Sequence, residues 1–116
     1  MRVIVCGGRN YTDRDRIHNT LLALNSELGP FKCVIHGDAT GADHEGMLWA
    51  EMMGIPHSPF RPDWHAQGRA AGPIRNQRMI DEGKPDLVIA FPGGRGTQDM
   101  IDRARVAGVP VRFWHD

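Results

Sequence analysis

The sequence predicts a single α/β domain built in three layers, with a parallel sheet of five strands between helices. Two observations predict this architecture. Short continuous apolar runs, typical of strands buried on both faces, alternate along the chain with segments of helical periodicity. The 116 residues, 41% of them hydrophobic, suffice for one core and leave no room for a second. We therefore expect residues 1–116 to form one domain whose strands are joined by right-handed helical crossovers.

The first strand and the first helix are predicted within the opening 30 residues. An apolar run over residues 3–6 stops at two glycines, and Asp13 then provides a side chain that can cap a helix. One apolar stripe follows at steps of four, three and four: Ile17, Leu21, Leu24 and Leu28. Gly29 ends this helix.

Two further strands and a second helix are predicted up to residue 60. Residues 31–36 form the second apolar run, and residues 55–60 form a poorer one that contains two prolines. The helix between them ends at Gly54. Its apolar face comprises Ala42, Gly46, Trp49 and Met53, with Leu48 and Met52 beside it.

The last part of the chain predicts two helices and two strands after an irregular segment, residues 61–72. Pro73 suits the first position of a helix that closes at Gly83. The fourth strand covers residues 87–90, a glycine-rich turn covers 91–97, and a helix covers 99–107. Residues 109–113 form the fifth strand.

Proline indicates the strand order, because it cannot donate to a ladder and is confined to edge strands or strand beginnings. Only the third and fifth predicted strands contain it. The order 3-2-1-4-5 places both at the edges of the sheet, so we predict a Rossmann-like arrangement.

Composition restricts the classes of partner and site. The chain has 14 Lys+Arg and 14 Asp+Glu, so no global basic surface attracts nucleic acid.

Cys6 and Cys33 lie in apolar runs and are interpreted as buried thiols. No signal peptide or membrane-spanning run is visible, and we expect a cytoplasmic protein. His36, Asp38, Asp43 and His44 lack the spacing of a fixed metal site, and we expect neither metal nor cofactor.

Three glycine-bearing loops are predicted to converge where the chain reverses direction between strands one and four. Glycines let the backbone approach a ligand closely, and helix N-termini attract phosphate. The predicted ligand-binding residues in these loops are Gly7, Gly8, Arg9, Gly37, Asp38, Gly41, Ala42, Pro92, Gly93, Gly94, Arg95, Gly96 and Thr97. Neither a Walker loop nor a G-x-G-x-x-G fingerprint is present, which argues against a kinase or a dehydrogenase.

Four ordered motifs together resemble the SLOG superfamily, and within it the small YspA/YpsA-related group. They are Cys6-Gly7-Gly8-Arg9, the stretch from His36 to Asp43, the stretch from Gly72 to Met79, and the stretch from Phe91 to Thr97. The resemblance implies a nucleotide or phosphorylated ribose ligand and a homodimer. More distant members include LOG-type phosphoribohydrolases, which split nucleoside 5'-monophosphates, and DprA, which binds single-stranded DNA.

The resemblance to LOG enzymes implies roles for particular residues. Arg75 and Met79 match the R-K-x-x-M motif, with Asn76 replacing the lysine, so Arg75 would clamp phosphate or ribose and Asn76 would contact the ligand. In P-G-G-x-G-T-x-x-E the final glutamate is replaced by Met100. Asp99 lies one residue earlier, about 100° around the helix.

Asp99 and Asp43 are therefore the candidate catalytic carboxylates, together with Arg75. A purely structural role, stabilising a helix dipole, is the alternative for Asp99. Two functions stay open: hydrolysis of an N-glycosidic bond, and sensing of a nucleotide signal without turnover. Single-stranded DNA binding is a third alternative, against which the zero net charge argues. Trp64 and His65 either stack on a base or pack at the rim.

Overall fold

The computed structural model describes residues 1–114. The strands are β1 (Arg2–Cys6), β2 (Cys33–His36), β3 (His57–Pro59), β4 (Leu87–Ala90) and β5 (Val111–Phe113). The helices are α1 (Arg14–Leu28), α2 (Ala42–Met53), α3 (Trp64–Gln67), α4 (Ala71–Asp81) and α5 (Arg95–Val106), with a 3-10 turn at Gly68–Ala70.

The sheet has the predicted order, β3-β2-β1-β4-β5, and its four strand pairs are all parallel. Val3 of β1 pairs with Val34 on one side and Leu87 on the other. β3 contains Pro59, Pro110 immediately precedes β5, and these two strands are the edges, so the prediction drawn from proline is confirmed.

Alternate strand residues point to opposite faces of the sheet, and each face carries its own apolar cluster. Val3 and Val5 pack in the cluster that contains Ile17, Leu21 and Trp49 of α1 and α2. On the other face, a cluster of strand and helix residues includes Ile4, Ile35, Val88, Met79, Ile80, Met100 and Ile101. Two helical layers therefore enclose the sheet, which confirms the three-layer α/β domain.

Several predicted helix boundaries were wrong. Helix α5 begins at Arg95, not at residue 99, so Arg95, Gly96 and Thr97 form its first turn. Helix α4 begins at Ala71, which makes Pro73 its third residue. Proline is tolerated there because the N–H groups of a first helical turn have no partner within the helix.

The segment 61–72, predicted as irregular, contains α3 and the 3-10 turn. Asp63 caps α3 by accepting a hydrogen bond from the Ala66 amide. The predicted apolar face of α2 is also narrower than expected, since Met52 and Met53 are 67% and 43% exposed. No helix of residues 1–114 has the length and apolarity needed to cross a membrane.

Candidate functional site

A cavity of about 580 Å³ opens at the carboxyl ends of β1 and β4, between the loops that follow them and helices α4 and α5. The predicted site residues that line it are Gly7, Gly8, Arg9, Asp43, Arg75, Asn76, Gly94, Arg95, Gly96, Thr97 and Asp99. Its volume lies in the range of small-molecule sites, roughly 300–1,000 Å³. Gly37 and Asp38 line a second, neighbouring cavity of about 450 Å³.

Four of the predicted ligand-binding residues line neither cavity: Gly41, Ala42, Pro92 and Gly93. They pack the loops against one another. The Gly8 amide donates to the Pro92 carbonyl at 2.8 Å. A Cβ on Gly93 would lie 2.7 Å from the Gly8 nitrogen, and a Cβ on Gly41 would collide with the Gly8 carbonyl oxygen. These residues set the positions of the cavity-lining backbone.

The N-terminus of α5 faces the cavity without a capping side chain. Gly94 is the N-cap residue, and the first turn contains no acidic residue but does contain Arg95. The unpaired N–H groups and the helix dipole give this end a partial positive charge, so an arginine there is unfavourable without a nearby anion. Arg95 forms no ion pair with residues 1–114. The arrangement suits an anionic group in the cavity.

Asp43, near the start of α2, is buried in the cavity wall with 6% of its surface exposed. Its Oδ2 accepts hydrogen bonds from the Gly37 amide at 2.9 Å and the Ala39 amide at 3.4 Å. Burial raises the pKa of Asp43 to about 6, and the charge of Arg75 and the two amide donors oppose that rise. The carboxyl group therefore changes protonation near neutral pH, as acid–base groups of active sites do.

The Asp43→Asn variant is expected to gain stability relative to the wild type as pH rises. Asp43 titrates at 3.8 in its unperturbed form and at about 6 in the folded protein, so between these values the folded state binds more protons. Wild-type stability then falls with rising pH, by about 3 kcal/mol in total from this group, and asparagine removes the fall.

The measurement is the difference in urea-unfolding free energy between the two proteins at several values from about pH 4 to about pH 7. A difference is needed because the folded-state pKa of His36 is lowered from 6.5 to about 4, which acts with the opposite sign over nearly the same interval. Parallel stability curves for the two proteins would contradict the pKa assigned to Asp43.

Arg75, on α4, is 9% exposed and holds the loop after β2. Its Nη1 donates to the Gly37 carbonyl, and its Nε donates to Asn76 Oδ1 at 3.0 Å. Burial lowers the pKa of Arg75, whereas the charge of Asp43 raises it. Arg75 lines both cavities.

Asn76 connects the two sides of the cavity. While its oxygen accepts from Arg75, its Nδ2 donates to Asp99 Oδ2 at 2.9 Å and to the Gly96 carbonyl at 3.2 Å. Arg103 Nε also donates to Asp99 Oδ2, at 2.8 Å. The side chain of Asn76 thus orients Arg75 and Asp99, a role that its assignment as a ligand contact did not anticipate.

Met100 lies where a LOG enzyme carries its glutamate, and it is 1% exposed within the apolar cluster of α4 and α5. It lines the cavity with its apolar side chain. Asp99 also lines the cavity, so a carboxylate is present one residue from that position. The regular helix from Arg95 onward brings both side chains to the cavity, with no distortion of the turn.

Five residues of the irregular segment 61–72 line the two cavities: Arg61, Pro62, Trp64, Arg69 and Gly72. Trp64 lines both cavities, and the Arg9 guanidinium lies 5.3 Å from the centre of its ring. Arg69 lines the larger cavity. His65 is exposed and lines neither. Because residues 61–72 have no periodicity, the sequence contained no signal for their orientation.

Cys6 lines the larger cavity, but burial raises its pKa far above the usual range of a thiol, with Asp43 adding to the rise. The protonated thiol is a poor nucleophile. His36 Nδ1 accepts from the Asp38 amide, so the neutral ring carries its proton on Nε2, which donates to His57 Nδ1 at 3.1 Å. Residues 1–114 contain no cluster of three or more side chains arranged to hold a metal.

The fold and the site define a Rossmann-like α/β domain with a glycine-lined, arginine-bearing cavity at the point where the strand order reverses. Residues 1–66 match the model of the YspA, cpYpsA-related SLOG family. Gene 61 protein of Mycobacterium phage D29 is 37% identical over 120 residues, covering 95% of this chain and 93% of that protein. The chain belongs to the YspA, cpYpsA-related SLOG family, and no solved structure gives a significant match.

Membership of a SLOG family suggests a nucleotide-related ligand. The family model spans β1 to β3 and so includes the loops after β1 and β2, with Arg9 and Asp43. Helix α4 and the loop before α5 lie beyond its match, within a chain of which 95% aligns with the phage protein.

Proposed function

We propose that the protein binds a nucleoside 5'-monophosphate, or a closely related phosphorylated ribose, in the larger cavity. The observation that carries the proposal is the uncapped first turn of α5, which has Arg95 and no acidic residue and opens on a cavity of about 580 Å³. The phosphate would lie against this turn, where backbone N–H groups, the helix dipole and the guanidinium act together.

The carboxylates of Asp43 and Asp99 would accept hydrogen bonds from the ribose hydroxyls, as carboxylates do in other nucleotide sites. Four arginines line the same cavity: Arg9, Arg69, Arg75 and Arg95. They outnumber the two aspartates, which supports a ligand with more than one negative charge. Trp64, 47% exposed at the rim, offers a ring on which a base can stack.

Hydrolysis of the N-glycosidic bond is a second candidate function, favoured by Asp43. A carboxyl group with a pKa of about 6 in a ligand cavity suits the activation of water at neutral pH. In the proposed reaction, water adds to C1' as the C1'–N bond breaks and the carboxylate takes a proton from the water. The departing base takes a proton from solvent, and the carboxyl group then returns its proton to solvent. Met100 supplies no acid, so Asp43 and Asp99 are the carboxylates available in this cavity.

Arg95→Gln is expected to weaken the binding of AMP, GMP, CMP or UMP by roughly 10- to 100-fold, since one charge-assisted hydrogen bond contributes about 1.5–3 kcal/mol. Isothermal titration calorimetry measures the affinity. Arg105→Gln is the matched control, because Arg105 is exposed in the last turn of the same helix and lines neither cavity. Equal loss in both variants, or no wild-type binding to any of the four, would overturn the proposal.

Chromatography of the same mixtures distinguishes the two candidates. Free base released by the wild type and not by Asp43→Asn supports hydrolysis. Saturable binding without base release supports a sensor of a nucleotide signal. A single-stranded oligonucleotide in the panel tests the DprA-like alternative, against which the balanced charge argues.

A homodimer belongs to the same proposal. Met52 and Met53, near the C-terminus of α2, are exposed apolar side chains that would suit a contact between two copies. Analytical ultracentrifugation measures the mass in solution, and a monomer at all concentrations would contradict the dimer without affecting the ligand site.

A further inference from the structure

The second cavity, of about 450 Å³, shares part of its lining with the larger one. Four residues line both: Arg9, Ala39, Trp64 and Arg75. Each cavity alone has the volume of a small-molecule site. The two are therefore adjacent compartments of one region, with Arg9 and Trp64 at their common boundary.

The second cavity has a positive lining of its own. Arg61, Arg9 and Arg75 line it together with one acidic residue, Asp38. The Arg61 guanidinium pairs with the Asp38 carboxylate at 2.7 Å, while 83% of the Arg61 side chain is exposed. That pair leaves Arg9 and Arg75 at the boundary, where Asp43 of the larger cavity lies close to Arg75 and offsets part of their positive charge.

Arg9 and Arg75 are the two cations that reach both compartments. Arg9 forms no ion pair with residues 1–114, and its guanidinium lies against the Trp64 ring. The Thr40 hydroxyl donates to the Arg9 carbonyl at 3.2 Å and so fixes the Arg9 backbone between the loops after β1 and β2. Guanidinium groups pair well with the oxygens of phosphate, and two at one boundary suit a linked pair of phosphates.

We propose that the natural ligand is a nucleotide extended through its phosphate, with a diphosphate joined to a second sugar or nucleoside. The nucleotide unit occupies the larger cavity with its 5'-phosphate at the first turn of α5, the second phosphate lies at the boundary beside Arg9 and Arg75, and the second unit occupies the cavity of Gly37, Asp38 and Arg61. The inference rests on the proposed function, because it extends the same site. It adds the chemical class of the ligand.

The test compares AMP with ADP-ribose by isothermal titration calorimetry. ADP-ribose is expected to bind at least tenfold more tightly than AMP, with one molecule per chain, because it also contacts the second cavity. Arg61→Gln, which changes a residue of the second cavity alone, is expected to weaken ADP-ribose binding about tenfold and to leave AMP binding unchanged. Arg69→Gln, which changes the larger cavity alone, is expected to weaken both.

Equal affinities for AMP and ADP-ribose would overturn the inference, as would an Arg61→Gln variant that binds ADP-ribose like the wild type. Two AMP molecules per chain would also overturn it, because the cavities would then be separate sites. If AMP binds and Arg95→Gln abolishes that binding, the proposed function stands even when the extended ligand shows no advantage. If neither probe binds, the proposed function and the inference both fail.

Discussion

Replacing Arg75 by methionine is expected to lower the free energy of unfolding by about 3 kcal/mol and to abolish nucleotide binding. The buried guanidinium donates to the Gly37 carbonyl and to Asn76 Oδ1, and hydrogen bonds from a charged donor contribute about 1.5–3 kcal/mol each. Methionine preserves much of the aliphatic volume. The losses of stability and of binding therefore report the contribution of the guanidinium group itself. Urea unfolding measures the stability, and calorimetric titration measures the affinity for AMP.

Binding is lost for two reasons. The positive charge at the boundary of the cavities disappears, and the loop after β2 loses its anchor at Gly37. Asp43 also loses the nearby charge that opposes its protonation, so its pKa is expected to rise further. Adding Asp43→Asn to Arg75→Met is then expected to restore part of the stability, because it removes a buried carboxylate without a compensating cation.

Arg78→Met is the matched control. Arg78 lies on the same helix, its side chain is 47% exposed, and it pairs with Glu82 one turn later. An exposed ion pair of this kind contributes at most about 1 kcal/mol, so both stability and AMP affinity should stay close to those of the wild type. Equal unfolding free energies for the Arg75 and Arg78 variants would refute the role assigned to Arg75.

Gly41→Ala is expected to destabilise the protein by about 3 kcal/mol, and Gly54→Ala by about 1 kcal/mol. Both glycines have positive φ, 74° and 69°, but their ψ angles differ, at −128° for Gly41 and 25° for Gly54. An alanine is tolerated better in the left-handed conformation of Gly54 than in the conformation of Gly41, which is almost restricted to glycine. Their surroundings differ. A Cβ on Gly54 meets nothing within 4 Å, whereas a Cβ on Gly41 would collide with the Gly8 and Arg9 carbonyl oxygens.

The difference of about 2 kcal/mol combines the greater backbone strain at Gly41 with the close approach of the loops after β1 and β2. Because Gly8 and Arg9 line the larger cavity, Gly41→Ala is also expected to weaken AMP binding, while Gly54→Ala leaves it unchanged. Chemical denaturation of the purified variants measures the free energy of unfolding, and calorimetric titration measures the affinity for AMP. Equal destabilisation by the two alanines would contradict both the strain and the close loop contact assigned to Gly41.

Much of the fold could be predicted because each element carries its own local signal. Asp13 caps α1 as expected, accepting from the Arg16 amide. Gly54 ends α2 in the left-handed conformation that favours glycine. The edge strands were predicted because proline lacks the N–H group that a central strand needs on either side. These constraints act within a few residues and do not depend on distant contacts.

The boundaries that were wrong lie at the ligand loops. The helix predicted to begin at Pro73 begins two residues earlier, and the turn predicted over residues 91–97 gives way to helix at Arg95. Gly72, Pro73 and Gly96 therefore lie inside first helical turns. Intrinsic propensity is a weak preference, and the packing of Met79, Met100 and Ile101 against the sheet extends both helices toward the cavity. The orientation of Trp64 and Arg69 had no periodic signal and depends on the packing of α3 against α4.

The sequence by itself determined the three-layer domain, the strand order and the glycine loops that meet above β1 and β4, because periodicity, capping and the missing N–H of proline are local properties. Only the tertiary structure decided that Asp43 is buried beside Arg75, that Asn76 joins Arg75 to Asp99, and that Arg9 and Trp64 stand between two cavities. Those relations join residues far apart in the chain, and desolvation and hydrogen bonding across such distances exist only once the sheet and its helices have packed.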